Sequence, residues 1–277
     1  MTSPALPPEP ALPADAVAAT PAVMAVPAVL AADTLADGPS ELTEPPLPIL
    51  HQCAHLVVID KPAGLLVHRS SLDAHETRSA AELMRQQMGA PVWLLHRLDK
   101  GTSGVLAFAR DADTASRLGQ AFDAGQVHKR YLALVRGWPA EAGEIDYPLA
   151  RDHELPSAGQ VRLPAVTRWR RLACFEWPFP DGRHASSRYA LVEVEPLTGR
   201  RHQIRRHFKH LAHPLVGDTT HGKGAHNRAV AAWLGCSRLW LHAHWLALPG
   251  ATAGAPAQVI EAPPGPEWAA LVGGAAR

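Results

Sequence analysis

Cysteine is scarce in this sequence. Cys53, Cys174 and Cys236 are the only three in 277 residues, and they lie far apart with no C-x-x-C pair. An odd, dispersed set excludes a disulfide framework and points to a reducing cytosol. No run of eighteen residues is apolar without an interrupting proline or charge, so no membrane-spanning helix is expected. Lysine and arginine are missing from residues 1–47, which hold six acids, Glu9, Asp15, Asp33, Asp37, Glu41 and Glu44. The formal net charge of the chain is +1, so subtracting −6 for the leader leaves +7 on the remainder. A basic body behind an acidic leader suits an anionic partner. Sixteen histidines add to this, since each becomes cationic near neutral pH when a phosphate lies beside it.

What is present divides at about Pro48. Residues 1–47 are dominated by alanine and proline, and prolines every few positions deny both helix interiors and sheet ladders, so a disordered leader is expected. A secretory signal is the competing reading, but there is no basic start, prolines break the apolar part and acids flank it. Beyond the leader come short β-type runs at 56–60, 104–110, 130–137, 187–196 and 238–249. The last two alternate, Tyr189, Leu191 and Val194 against Glu193 and Glu195, and Leu239, Leu241 and Ala243 against His242 and His244. Half-buried antiparallel strands follow. Helical spacing occurs at 77–88 and at 111–123, where Asp111 or Asp113 supplies the cap.

A third helical segment, T-G-R-R-H-Q-I-R-R-H-F-K-H-L-A from Thr198 to Ala212, carries two stripes. Ile204, Phe208 and Leu211 make an apolar one; Arg201, Arg205 and Lys209 make a basic one. Like charges at that spacing repel by a few tenths of a kcal/mol per pair, yet no acid occurs from Arg200 to Ala212. The compensating anion must come from a partner or from elsewhere in the fold. One candidate stands in L-L-H-R-L-D-K-G-T-S-G-V-L-A-F-A, Leu94 to Ala109, where Asp99 sits in a turn that at once resumes an apolar strand. An aspartate in such a turn ordinarily bonds its own backbone. Facing a basic helix it would instead be held ionised, Arg205 being the natural partner, and a positioned carboxylate serves as nucleophile or base.

H-R-L-D-K-G-T-S-G-V-L, H-K-R-Y-L-A-L-V-R-G, L-T-G-R-R-H-Q-I-R-R-H-F-K-H-L-A-H-P-L-V-G-D and R-L-W-L-H-A, in that order, resemble the motif set of the RluA-type pseudouridine synthases, from about Pro48 to Trp268. Within that family V-H-R-S-S-L-D, P-A-V-T-R-W-R and G-D-T-T-H-G-K are most similar to the TruC branch, which modifies uridine 65 of tRNA. The resemblance implies one α+β catalytic domain over 48–268 with a mixed, mainly antiparallel sheet, flanking helices and a central RNA cleft, followed by a flexible tail over 269–277. It implies Asp99 as the catalytic aspartate, Tyr131 as the aromatic that stacks on the target uracil, and Arg205 as the arginine paired with Asp99. By the same resemblance Leu241 packs below the site, and Arg97 fills the space vacated by an everted base. Lys100-Gly101 departs from the Arg-Pro of TruC-like sequences and is expected to loosen the turn.

The implied reaction breaks the N1–C1′ bond of uridine and rebonds through C5, with no atom gained and no redox change. No cofactor is therefore expected. Asp99 would act by attack or proton abstraction at the sugar, or by addition to C6 of the ring, and the sequence does not choose. Arg200, Arg201, Arg206, Lys209 and Lys223, with His207 and His210, are candidate phosphate contacts. RNA, tRNA in particular, is the expected partner of a cytoplasmic monomer, with ribosomal RNA or another tRNA uridine as the alternative. A non-catalytic RNA-binding module would need no central acid. A metal-dependent hydrolase is prompted by the histidines, but no H-E-x-x-H occurs and they lie among cations. Trp93, Trp169, Trp240 and Trp245 are expected to pack within the fold, Thr102 to Gly104 to shape the turn, and the Asp60–Gly64 turn to position strands around the cleft.

Overall fold

The computed structural model describes residues 45–69, 78–151, 155, 158–178, 180 and 184–273. The leader expected over 1–47 lies outside them except for its last three residues, and the end of the expected tail, 274–277, lies outside them too. Among the described residues the elements run β1 (Ile49–Gln52), β2 (Leu56–Lys61), α1 (Ala80–Met88), β3 (Trp93–Leu94), β4 (Ser103–Ala109), α2 (Ala112–Asp123), β5 (His128–Arg136) and β6 (Ala142–Asp146). They continue with β7 (Leu149–Ala150), β8 (Arg162–Leu163), β9 (Val166–Trp177), β10 (Ser187–Pro196), α3 (Gln203–His210), α4 (Gly224–Leu234), β11 (Leu241–Leu248), β12 (Gln258–Glu261) and α5 (Pro266–Gly273).

Ten strands form one sheet in the order β1-β2-β4-β11-β5-β10-β9-β6, with β3 on β4 and β12 on β11, while β7 and β8 form a separate pair. The pairing of β4 with β11 is parallel and the others are antiparallel, the mixed, mainly antiparallel sheet that the resemblance implied. β4 and β11 pair only over Ser103–Gly104 and His242–Ala243; from Trp245 to Leu248 the same strand pairs with β12 instead. Gly104 allows that contact, with φ +107° and with the backbone of Ala243 lying where a methyl group would be. Gly101 is also demanded by packing, since a Cβ there would meet Leu239 Cβ at 2.9 Å. Leu239 thus packs against the turn at Gly101.

Strand periodicity divides the core. On β4, which is buried throughout, Leu106 and Phe108 face one side with Met84 of α1 and Ile204 and Phe208 of α3; Val105, Ala107 and Ala109 face the other with Leu118 of α2. A third cluster gathers Tyr189, Trp177, Trp240, Val230, Trp268 and Leu271. On β10, Tyr189 and Leu191 belong to that third cluster and Val194 to the first, so the three do not share a face as the alternation suggested. The pairing of β10 with β9 is irregular between Leu191 and Val192, and their burial on both sides obscures the alternation. Leu47, assigned to the leader, and Leu271, assigned to the tail, are both buried in the core. Asp111 caps α2, its carboxylate accepting from Thr114 N at 2.7 Å, and Ser79 caps α1, its hydroxyl accepting from Glu82 N and donating to Glu82 Oε2.

Candidate active site

α3 is shorter than the spacing suggested, beginning at Gln203. Its start is fixed by Gln203, whose Oε1 accepts from Arg200 N and Thr198 Oγ1 and whose amide donates to Val166 O and Thr167 Oγ1. The apolar Ile204 and Phe208 then dock the helix on the sheet, and Arg205 is carried inward with them rather than lying on an exposed basic stripe.

Inside, Arg205 makes three hydrogen bonds to two carboxylates. Nη1 donates to Asp99 Oδ2 at 2.9 Å, Nε to Asp218 Oδ2 at 2.8 Å and Nη2 to Asp218 Oδ1 at 2.8 Å. Asp218 side-chain exposure is 0%, against 24% for Asp99, so one acid is enclosed by the protein while the other is partly open to solvent. Burial alone would lower the Arg205 pKa, but the bonds and charges of Asp218 and Asp99 reverse this and raise it. Burial likewise would raise Asp218, and Arg205, helped by the backbone N–H of His221, holds it below the usual carboxylate range. The backbone N–H groups of Thr220 and His221 donate to Asp218 Oδ1 at 2.9 and 2.8 Å, fixing the acid that fixes the arginine.

Asp99 itself sits in a turn closed by Thr102 N donating to its carbonyl at 2.9 Å. The loop is pinned on both sides. His96 Nε2 accepts from Ala107 N at 3.2 Å and its ring stacks on Phe122; burial, then the charge of Lys129, pushes it down to about 3, so it is neutral. Lys61 Nζ donates to Pro62 O, Leu65 O and Lys100 O at 2.7–3.2 Å, tying the Asp60–Gly64 turn to the Asp99 loop. Lys61 is fully buried, and burial brings its pKa down to about 7, with the Asp99 carboxylate opposing the fall.

Tyr131 lies mid-β5 and is 8% exposed. Burial, then the nearby charge of Asp99, raises its hydroxyl pKa, so the phenol stays protonated. Leu241 pairs with Ala133 and Ala243 with Tyr131 across β11 and β5, which puts Leu241 on the Tyr131 face of the sheet. Asp99, Tyr131, Arg205 and Leu241 are therefore brought together. Arg97 is exposed two residues before Asp99. Arg200, Arg201 and Lys209 are exposed and Arg206 is half-buried.

His207 does not join the phosphate contacts. It is fully buried, its ring nitrogens are taken by Thr167 Oγ1 and Tyr147 O, and burial lowers its pKa. The histidines that prompted a metal-dependent hydrolase are separately engaged, His210 on Tyr147 and His213 on Arg136 O. Among the described residues no group of three or more His, Cys, Asp or Glu is placed to hold a metal ion.

Three residues escaped sequence reasoning: Asp218, Lys61 and His202. His202 precedes α3 in the left-handed region, φ 54°, with Nε2 3.8 Å from Asp99 Oδ1 and Nδ1 3.2 Å from His221 Nε2. The missing acid opposite the basic helix was the one available signal, and it pointed to Asp99 while a second acid, in the loop that follows the helix, carries two of the three bonds.

The model of the RNA pseudouridylate synthase family matches residues 55–210. The chain is 46% identical to the tRNA pseudouridine synthase C of Vibrio cholerae over 202 residues, 71% of this chain and 83% of that protein. It is 47% identical to that of Haemophilus ducreyi over 207 residues, 72% and 84% of the two. Among solved structures it is similar to human RNA Pseudouridylate Synthase Domain Containing 1, with TM-score 0.63, 25% identity and coverage of 79% and 83%. For human RNA Pseudouridylate Synthase Domain Containing 4 the values are 0.61, 27%, 83% and 93%.

Proposed function

The chain belongs to the RNA pseudouridylate synthase family and isomerises uridine in RNA to pseudouridine, and from that premise we propose that its substrate is tRNA, modified at uridine 65 in the T stem. Relatives named for tRNA, aligned over more than four-fifths of their own length, support the substrate. The observation that carries the site assignment is the Asp99–Arg205 contact, an accessible carboxylate whose Oδ2 is bound by a guanidinium that a second, buried acid holds still.

In this reading Asp99 is the reacting carboxylate. The N1–C1′ bond breaks, the C5–C1′ bond forms and a proton passes from C5 to N1, so atoms and electrons balance without a co-reactant. Direct attack, proton abstraction at the sugar and addition to C6 all need a carboxylate oxygen in a fixed place, and the Arg205 bond positions it. A uridine in a stem must be everted first, at a cost of a few kcal/mol. The face of Tyr131, backed by Leu241, recovers about 1–3 kcal/mol by stacking on the uracil, and Arg97 occupies the gap left in the stem. Arg200, Arg201, Arg206 and Lys209 take phosphates. A cytoplasmic monomer is the form this reading needs, and no described helix is long and apolar enough to cross a membrane.

Tritium release from [5-³H]uridine-labelled tRNA tests the assignment. Asp99→Asn is expected to abolish release while tRNA binding persists; normal turnover would overturn it. Mapping pseudouridine in a strain lacking the gene tests the substrate: the tRNA signal at position 65 should vanish, and loss from ribosomal RNA alone would refute it.

A further inference from the structure

The arginines of this protein fall into two groups. On the β6-β9-β10 part of the sheet each is matched to a carboxylate: Arg168 to Glu144 at 2.7 Å, Arg170 to Glu193 at 3.3 Å, Arg188 to Glu176 at 3.6 Å and Arg171 to Glu141 at 3.9 Å. Where β8 meets α3 the pattern stops. Among the described residues, Arg162, Arg200, Arg206, Lys209 and His210 have no carboxylate ion-paired with them.

Two of these cations are pre-set rather than loose. Arg162 Nη1 donates to the Tyr147 hydroxyl at 3.0 Å, with its guanidinium carbon 5.5 Å from the centre of the ring. The Tyr147 ring stacks on His210 at 3.8 Å, and the Tyr147 carbonyl meets His207 of the same helix at 3.0 Å, so β8 and α3 are locked through one tyrosine. Arg206 sits half-buried within reach of the Arg162 charge: burial first, then that repulsion, lowers its pKa. Two guanidiniums near each other, with no described acid paired to either, repel modestly, and an anion from outside would offset that repulsion.

We propose that Arg162 and Arg206, braced by the Tyr147–His210 stack, form a clamp for a backbone phosphate of the RNA substrate, on a segment next to the everted nucleotide. Arg205, which holds Asp99, and Arg206 of the clamp are consecutive residues of α3, so one helix carries both. The ligand is a phosphodiester and not a base, because the Tyr147 ring is already stacked on His210 and edged by Arg162. The clamp rests on the reading of this chain as an RNA-modifying enzyme, and it adds an anchor on β8 that the motifs around α3 did not disclose.

The test is a salt titration of binding between the full-length protein and an unmodified tRNA transcript, followed by fluorescence anisotropy. Arg162→Gln is expected to raise Kd several-fold near 0.1 M salt and to reduce the slope of log K against log salt by about 1, with the double variant Arg162→Gln/Arg206→Gln losing more. Arg168→Gln, which removes an arginine matched to Glu144, should leave Kd and slope alone. Equal slopes for wild type and the double variant would overturn the clamp, as would an equal loss with Arg168→Gln. Pseudouridine formation is scored in the same samples: a reduced slope without any pseudouridine would sink the proposed function and leave the clamp standing. Pseudouridine with an unchanged slope would do the reverse.

Discussion

Replacing Asp218 by Asn asks whether Arg205 must be held from behind. The carboxylate is fully buried and accepts two of the three Arg205 bonds, each at 2.8 Å. Removing one partner of a buried ion pair costs about 3–5 kcal/mol, the expectation for Asp218→Ala. Asparagine keeps an oxygen for the Thr220 and His221 backbone donors and one Arg205 bond, but it loses a charged hydrogen bond, so about 1.5–3 kcal/mol is expected. Arg205 would then keep its Asp99 bond and only one of its two bonds to position 218, and a misplacement of about 1 Å near a reacting group costs about 100-fold in rate. Single-turnover tritium release at saturating RNA, beside urea denaturation, reads both effects. The acid limb adds a third: the folded-state pKa of Asp218 is lowered, so its contribution is full above the unfolded value near 4 and is lost as pH falls through the folded one. Asp218→Asn should lack that limb. A variant that is destabilised yet turns over at the wild-type rate would refute the idea that Arg205 needs this brace.

Tyr131→Ala should lose about 1–3 kcal/mol of stacking, whereas Tyr131→Phe keeps the ring; wild-type tritium release by Tyr131→Ala would remove Tyr131 from the site. Lys61 has a folded pKa of about 7 against 10.5 for the free side chain, so between those values the unfolded chain holds a proton that the folded one does not. Stability from this group therefore rises with pH across that window. Lys61→Met should flatten the rise in urea midpoint between pH 7 and 10, and parallel profiles for the two proteins would show that the lysine is not desolvated. Gly104→Ala would force a methyl group into the Ala243 backbone at a positive φ; loss of the folded state, or a drop of several kcal/mol, is expected by circular dichroism, and a wild-type melting curve would contradict the close approach of β4 and β11.

Much of the site was legible because its parts stand in dense local patterns. Asp99 sits in a turn beside an apolar strand, and Arg205 lies in a run of cations without an acid. The acid-free helix also gave the physical demand for a buried partner, though not its multiplicity: Asp218 lies in an irregular loop with no period to mark it. Lys61 was invisible for a related reason. Its turn reads as polar, and only the three-dimensional return of the Asp99 loop converts it into a buried cation with three carbonyl acceptors. The strand alternation on β10 misled because Val194 is an odd number of residues from Tyr189 and Leu191, which puts it on the opposite face of the strand. His207 misled because it stands in a run of basic residues, Arg205 to His210, while its own ring is turned into the protein.

β11 is made late in synthesis, yet it lies between β4 and β5, and residue 242 meets residue 103 across the parallel contact. A nascent or truncated chain ending before Leu241 therefore exposes two bare strand edges where the finished protein has its centre, and it lacks the floor beneath Tyr131. Such a fragment is more prone to self-association than to partial function. The order of the strands thus makes the site depend on a segment that follows Tyr131 by more than a hundred residues.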